Sequence, residues 1–206
     1  MISIRPEQLS SKENYKLLTG TIIPRPIAFV TTLSTVNNSI NAAPFSYFTI
    51  ISSNPPLLSI SVQRANGIMK DTARNAVERR EFVVHISTEH MIEEINKTAA
   101  PLNPDESELA LTQLHTIDSI HISVPGIKEA PIRFECILEK HLTFNGGDST
   151  ITTDLLIGRI VCYHIADDLY DQEKGYVFTD KVKPVSRLAG DTYAKLGELF
   201  SIQRPT

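Results

Sequence analysis

The stretch "QRANGIMKDTARN", Gln63–Asn75, holds the residue types and spacing best suited to binding an anion. It runs from a strand-like segment through an Asn-Gly turn into a helical pattern that begins with Lys70, Asp71 and Thr72. The free N–H groups and the positive dipole end of a helix start attract anions, and a lysine there is unfavourable unless a negative group lies beside it. A bound phosphate satisfies both conditions.

The spacing therefore predicts a phosphate site centred on Lys70. The hydroxyl of Thr72 and the guanidinium of Arg64 or Arg74 would add further donors. In the alternative interpretation Asp71 caps the helix, Lys70 is solvated and nothing binds.

The second unusual segment is "INAAPFSYFTIISSNPP", Ile40–Pro56, which has no charged side chain and contains three prolines. A proline within a strand removes a ladder hydrogen bond, so the segment is expected to be neither a regular strand nor a helix. An irregular backbone in apolar surroundings must pair its N–H and C=O groups, and a flat ligand with a polar edge is one such partner. The alternative is a buried loop that is satisfied by its own protein.

The elements that must position these residues are mostly strands. Alternating apolar and polar residues, or runs of β-branched and aromatic residues, favour strands. In the stretch "APIRFECILEK" the apolar Cys136 alternates with Glu135, which assigns Glu135 to the polar face of the predicted strand. The predicted strands are "IAFVTTL" (27–33), "PLLSISVQ" (56–63), "EFVVHIS" (81–87), "APIRFECILEK" (130–140) and "DLLIGRIVCYHI" (154–165).

Helical patterns are fewer. In the C-terminal "YAKLGELF", Leu196, Leu199 and Phe200 fall on one helical face that would bury against a neighbour. Because turns join most strands, the pattern predicts a mainly-β protein, a closed antiparallel β-barrel with appended helices in a single domain over residues 1–206, rather than a doubly wound sheet. The other predicted helices are "ENYKLLTG" (13–20, ended by Gly20), "KDTARNAVERRE" (70–81), "EHMIEEINKTAA" (89–100) and "ESELALTQL" (106–114).

Composition narrows the class of protein. With 206 residues, 41% hydrophobic and 21% charged, the chain is typical of a globular protein. A formal charge of −4 and a pI of about 5.9 argue against nucleic acid as a partner. The sequence shows neither a leader pattern nor an apolar run of membrane-spanning length, so no membrane partner and a cytoplasmic location are expected. Cys136 and Cys162 are interpreted as buried free thiols, and the histidine spacings predict no metal site.

Five stretches in order then carry a resemblance: "PRPIAFVTT", "NAAPFSYF", "NPPLLSISV", "KDTARNAVERREFVVHIS" and "SRLAGDTYAKLGELFSIQRP". From about Tyr15 to Pro205 the chain resembles the flavin reductase-like family, which includes flavoredoxins and the reductase components of two-component monooxygenases. The resemblance implies an FMN-binding split β-barrel that works as a homodimer, with the flavin near the subunit interface.

The implied activity is that of a flavin-dependent oxidoreductase. Electrons would pass from a reduced nicotinamide or a protein donor through FMN to a small acceptor. Two alternatives remain, namely a non-catalytic flavin-binding or electron-carrier module and a structural barrel that has lost the cofactor.

The resemblance also assigns site residues. Lys70, Asp71 and Thr72 match the position beside the ribityl phosphate. Many reductases of the family carry a Gly-Asp-His motif whose histidine faces the nicotinamide side of the flavin, but here the matching position falls near Thr152 or Thr153. His141 and His164 are the candidates to replace it. The residues that would border the isoalloxazine ring are Thr31, Thr32, Asn41, Ala43, Pro44, Phe45, Ser46, Tyr47 and Phe48.

Overall fold

Fourteen strands, four α-helices and three short 3₁₀ helices make up the secondary structure of the computed structural model, which describes residues 1–104, 106–147 and 149–205. The helices are α1 Ser11–Thr21, α2 Asp71–Arg79, α3 Ile92–Lys97 and α4 Thr179–Val182. The strands are β1 Arg25–Pro26, β2 Ala28–Leu33, β3 Ile40–Phe45, β4 Phe48–Ser53, β5 Pro56–Gln63, β6 Glu81–Ile86, β7 Thr116–Ile117, β8 Gly126–Ile127, β9 Ile132–Asn145, β10 Ile151–Ile165, β11 Tyr170–Asp171, β12 Tyr176–Val177, β13 Val185–Arg187 and β14 Tyr193–Lys195.

The main sheet is antiparallel and has seven strands in the order β3-β2-β6-β9-β10-β5-β4. Its two edge strands, β3 and β4, follow each other in the chain and are joined by Ser46 and Tyr47 alone. A flat sheet would hold those edges roughly 29 Å apart, whereas this link spans at most about 11 Å. The sheet therefore curls until its edges meet beside Ser46–Tyr47, which confirms the predicted antiparallel barrel.

The inner face of the barrel forms the larger core. Leu58, Ile60 and Val62 of β5 point inward, as their alternation predicts, and Ala73 and Ala76 of α2 pack on the same cluster. A second core on the outer face is covered by α3 and includes Met91 and Ile95. Outside the barrel, β1, β13 and β14 form a small antiparallel sheet of their own.

The expected irregularity of Ile40–Pro56 is wrong for most of that segment. Ile40–Phe45 and Phe48–Ser53 are both strands, and only short links interrupt them. Pro44 is accommodated because β3 is an edge strand, the place in a sheet where a missing N–H is tolerated.

Several other expectations also need correction. Helix α1 continues through Gly20 to Thr21, because the guanidinium of Arg25 donates to the carbonyl oxygens of Thr19 and Ile22 at 2.7 and 2.8 Å and satisfies the helix end. Around residues 106–114 there is only a short 3₁₀ turn, Glu108–Leu111.

The C-terminal segment is not helical either. Tyr193–Lys195 pairs with β13, so the backbone of the first residues is used in a sheet, and Gly197 is a poor helix former. Leu196, Leu199 and Phe200 are exposed in a segment without regular structure.

Two side chains differ in burial from expectation. Glu135 is fully buried, because the chain around Ile120 and His121 covers it and donates two main-chain N–H groups to its carboxylate. Cys136 is a buried free thiol as expected, but Cys162 is only partly buried. None of the helices within the described residues combines the length and the hydropathy that a membrane-spanning helix needs.

Candidate functional site

An open pocket of about 250 Å³ lies where the two edges of the barrel meet. Five of its residues were predicted as site residues from the sequence, and they come from β3, from the Ser46–Tyr47 link and from the start of α2. The lining residues are Tyr15, Pro44, Phe45, Ser46, Tyr47, Ser61, Gln63 and Lys70.

Backbone and side-chain bonds hold the Ser46–Tyr47 link in place. The carbonyl oxygen of Tyr47 accepts from the N–H of Ser61 on β5 at 2.9 Å, which joins the link to the opposite wall of the pocket. Arg25 donates from Nε to Ser46 Oγ at 3.4 Å. Burial raises the pKa of Tyr47, so its phenol stays protonated and can donate a hydrogen bond.

Lys70 stands at the rim of the pocket, as the N-cap residue of α2, and is exposed. Within the described part of the chain it makes no ion pair, so its charge and the positive end of α2 face the same solvent. The preceding turn is tight: Asn66 and Gly67 have φ of 53° and 76°, and Ala65 bridges Ile68. This turn fixes the position of Lys70.

Arg64 lies beneath that turn rather than in the pocket. It donates from Nε and Nη2 to the two carboxylate oxygens of Asp154, both at 2.8 Å, and from Nη1 to the carbonyl of Gly67 at 3.2 Å. His141 Nε2 lies 2.8 Å from Asp154 Oδ1. Burial alone would raise the pKa of Asp154, but the hydrogen bonds from Arg64 and His141 outweigh it and lower that pKa. The geometry gives Arg64 a structural role that the sequence did not predict.

Three more predicted residues, Thr32, Asn41 and Thr72, are buried in polar contacts instead of lining the pocket. Thr72 Oγ1 donates to Asn41 Oδ1 at 2.6 Å, and Thr32 Oγ1 lies 3.3 Å from the same atom. Glu108 accepts from Asn41 Nδ2 at 2.7 Å and from the N–H of Ala42 at 2.9 Å. Asn75 Nδ2 donates to Thr32 Oγ1 at 3.3 Å. We call Thr32, Asn41, Thr72, Asn75 and Glu108 the buried polar network.

Burial raises the pKa of Glu108. Thr31 lies close to the network but bonds elsewhere, donating to the carbonyl of Pro125 at 2.7 Å. The remaining predicted residues have other surroundings. Ala43 and Phe48 are partly buried against the inner core, and Asp71 pairs with Arg74 at 2.8 Å.

Three pocket residues were missed. Ser61 and Gln63 are polar positions in the alternating pattern of β5, so the sequence placed them on the outer face of the barrel. The signal that could have identified them as pocket residues is the pairing of β5 with the edge strand β4. Tyr15 of α1 carries no signal, because its place depends on how α1 packs on the barrel.

The register of β10 bears on the missing histidine. Thr153 pairs with Gln63, so the two side chains share the outer face at the pocket, while Thr152 lies at a bulge and donates to the carbonyl of Phe144 at 3.2 Å. Neither candidate replacement is close to this face: His141 bonds Asp154, and His164 Nε2 lies 2.6 Å from Glu135 Oε1.

Glu135, Cys162 and His164 bring potential metal-ligand atoms within 4.8 Å of one another, the one such group among the described residues. The carboxylate of Glu135 already accepts two main-chain N–H groups, and Arg133 Nη2 lies 3.4 Å from His164 Nδ1. That guanidinium charge disfavours a cation. Cys162 is not an activated thiol, because burial raises its pKa.

A second pocket of about 210 Å³ adjoins the first and shares Pro44 and Ser46 with it. It lies between α3 and the small outer sheet. Its lining residues are Ile27, Pro44, Ser46, Ile92, Ile95, Asn96, Ala99, Arg187 and Tyr193.

The mainly-β barrel has the split-barrel fold seen in flavin reductase structures. Residues 19–185 match the flavin reductase like domain, and the chain belongs to that flavin-binding family. This confirms the resemblance found in the sequence.

Particular relatives cover the whole chain. The uncharacterized protein YwrF of Bacillus subtilis is 61% identical over 206 residues, which is 100% of both chains. Nitrilotriacetate monooxygenase component B from Bacillus cereus has a TM-score of 0.94 and 53% identity, covering 98% of each chain. The 2-nitrobenzoate 2-nitroreductase NbaA of Pseudomonas fluorescens has a TM-score of 0.89 and 33% identity, covering 100% of this chain and 97% of its own.

Proposed function

We propose that the protein is an FMN-dependent oxidoreductase, folded as one domain, whose flavin binds in the pocket at the barrel edges. The observation that carries this proposal is Lys70, an exposed cation at the start of α2 and on the rim of a pocket with neutral walls. A phosphate beside Lys70 would compensate its charge and complement the helix start. The ring would lie against Pro44, Phe45 and the Ser46–Tyr47 link.

The residues present suit this ligand. Ser46, Ser61 and Gln63 can give or accept hydrogen bonds at the polar edge of a ring, and the Tyr47 phenol can donate one. When bound, FMN would accept electrons from a donor and pass them to an acceptor. The chain would bind and orient the flavin and its substrate, and we assign no acid, base or nucleophile.

The size of the pocket supports a homodimer. At about 250 Å³ it is smaller than the roughly 300–1,000 Å³ typical of sites that enclose a drug-sized ligand. One chain would thus leave much of an FMN molecule uncovered. The exposed apolar side chains of Leu196, Leu199 and Phe200 offer a surface for a second copy to cover. A cytoplasmic location fits such an enzyme and is part of the proposal.

The second candidate is a non-catalytic flavin-binding module or electron carrier. The observation in its favour is the missing histidine, whose expected position falls near Thr152 or Thr153, the latter paired with Gln63 of the pocket. Similarity to a monooxygenase component and to a nitroreductase favours the enzyme. Steady-state turnover with NADH or NADPH separates the enzyme from the carrier.

The first experiment is to purify the protein and identify its chromophore. We expect a yellow protein that releases FMN, not FAD, on heat denaturation. A colourless protein that takes up no FMN on titration would contradict the flavin proposal.

The second experiment follows bleaching of the flavin band by stopped flow under anaerobic conditions. Without the histidine, the nicotinamide would be placed less well, and loss of a near-attack geometry costs about a hundredfold in rate. We expect slow reduction by NADH and NADPH and rapid reduction by dithionite. Fast, saturable reduction by either nucleotide would show that another residue has taken over the role of the missing histidine. Absence of steady-state turnover with NADH and NADPH would favour the carrier.

A further inference from the structure

The sequence motif "SRLAGDTY", 186–193, is not used by the proposed flavin pocket, yet it supplies two walls of the second pocket. Arg187 of β13 and Tyr193 of β14 are register partners, and the guanidinium carbon of Arg187 lies 4.4 Å from the centre of the Tyr193 ring. This stacking fixes the direction of the guanidinium.

Most hydrogen-bonding capacity of Arg187 remains unused. Its Nη2 donates to the carbonyl of Gly190 at 2.5 Å and lies 3.5 Å from a carboxylate oxygen of Asp191. The Asp191 side chain is fully exposed, so this ion pair is weak. The Nε and Nη1 groups of Arg187 donate no hydrogen bond to any atom of the described residues.

A second positive charge lies next to Arg187. Arg25 is its register partner on β1 and is only 7% exposed. Its guanidinium donates to three main-chain carbonyls and to Ser46 Oγ, all of them neutral acceptors. The charge of this buried cation therefore has no counter-ion among its partners. The region favours an anion.

The rest of the pocket is suited to a small apolar body. Ile27, Ile92, Ile95 and Ala99 form its walls, and among the described lining residues none carries a carboxylate. The Tyr193 hydroxyl donates to Asn96 Oδ1 at 3.0 Å, which leaves the Asn96 amide N–H groups for a ligand. A volume of about 210 Å³ admits a single ring rather than a dinucleotide.

We propose that this pocket binds the small substrate of the enzyme, and that the substrate is a carboxylate on a compact apolar or aromatic body. Arg187 binds the carboxylate, because a guanidinium matches its geometry with paired donors. Pro44 and Ser46 form the boundary with the flavin pocket, so the apolar body points towards the proposed ring. This assignment rests on the proposed function only for the redox role of the ligand, not for its binding.

The test uses isothermal titration of the purified protein with benzoate and with benzamide, its neutral analogue of the same shape. The variants are Arg187→Gln, Arg187→Lys and, as a matched control, Lys195→Gln. The control removes one positive charge two residues after Tyr193, where Lys195 pairs with Glu89 outside the pocket. Thermal melting checks that each variant is folded.

We expect Arg187→Gln to raise the benzoate Kd about ten- to a hundredfold, as loss of a charge-assisted contact predicts. Arg187→Lys should give an intermediate Kd, and benzamide binding should stay within about threefold in every variant. Failure of the wild type to bind benzoate, an equal loss for both probes, or the same loss in Lys195→Gln would overturn the proposal.

Two further measurements distinguish the carboxylate pocket from a nucleotide phosphate site and from the proposed flavin function. If Arg187→Gln raises the KM for NADPH but leaves benzoate binding unchanged, Arg187 belongs to a nucleotide phosphate site and the proposal is wrong. If the protein binds no FMN but binds benzoate through Arg187, the carboxylate pocket stands and the proposed function fails. A shift of the flavin band when benzoate is added to the FMN-loaded protein would support the shared boundary at Ser46.

Discussion

The proposed flavin pocket and the buried polar network both contain residues from two short segments, yet those residues have opposite surroundings. In the 40–48 segment Asn41 turns into the network while Pro44 and Ser46 line the pocket. At the start of α2, Lys70 is exposed on the rim, whereas Thr72 is buried two residues later. Within the network Asn41 and Thr72 satisfy each other, while Lys70 has no counter-charge among the described residues.

This contrast separates binding from positioning. A polar side chain whose bonds are completed inside the protein contributes to the shape of the site. One that is left open at a cavity can bind a ligand. The residue types alone do not distinguish the two, because Thr72 carries the hydroxyl that a phosphate would need but directs it to Asn41 at 2.6 Å.

The largest effect is expected at another polar group whose bonds are completed inside the protein, the fully buried Asp154, which bonds Arg64 and His141. Asp154→Asn would leave the Arg64 guanidinium without its counter-charge, and removal of one partner of a buried ion pair costs about 3–5 kcal/mol. Chemical denaturation measures this cost. The control Glu139→Gln breaks the exposed Arg159–Glu139 pair and should cost less than about 1 kcal/mol. Similar losses in both variants would show that burial of the Asp154 pair contributes nothing.

The same variant has a defined pH dependence. The pKa of Asp154 is lowered in the folded state, so its contribution is complete above the unfolded value of about 3.9 and is lost as the pH falls through the lower folded value. The difference in unfolding free energy between wild type and Asp154→Asn should shrink below about pH 4. A difference that grows on acidification would mean that the carboxyl is protonated in the native protein.

In the proposed flavin pocket, Lys70→Glu should weaken FMN binding by about 1.5–3 kcal/mol and leave riboflavin binding nearly unchanged. Riboflavin lacks the phosphate, so the comparison isolates the proposed contact. Fluorescence titration of each flavin gives the two affinities, and Lys128→Glu, an exposed change outside the pocket, is the matched control. Equal losses for both flavins would place the phosphate elsewhere.

The smallest effect is expected where the two regions touch. Thr72→Val removes the bond to Asn41 and should cost about 1 kcal/mol of stability, with little change in FMN affinity of the folded protein. Thr72→Ser keeps the hydroxyl and should behave like the wild type. If Thr72→Val instead loses as much FMN affinity as Lys70→Glu at unchanged stability, the hydroxyl binds the phosphate and the division proposed between the two regions fails.

Local patterns were sufficient for much of the fold. Strand β5 has the predicted bounds, Pro56–Gln63, because one buried and one open face impose strict alternation. Helix α2 begins where the apolar spacing and the Asn-Gly turn indicate. The C-terminal helix failed because β14 pairs with β13, from which only residues 188–192 separate it, and this sheet pairing overrides the helical spacing.

The site was less predictable for the same reason. Lys70, Ser46 and Tyr47, which were predicted from the sequence, line the pocket, but Arg64 was expected at the phosphate and instead bonds Asp154, which is 90 residues away in the chain. Such partners depend on strand register, which no local pattern reveals. The carboxylate-binding arginine proposed here, Arg187, was visible in the sequence only as part of a resemblance.

The central claim is that Lys70 holds the phosphate of FMN at the edge of the barrel. A crystal structure of the protein with FMN tests it most directly, through the distance from Lys70 Nζ to the nearest phosphate oxygen. We predict about 2.7–2.9 Å, as in other charge-assisted hydrogen bonds, with the ring against the Ser46–Tyr47 link. A flavin whose phosphate lies away from α2, with Lys70 in solvent, would contradict the account.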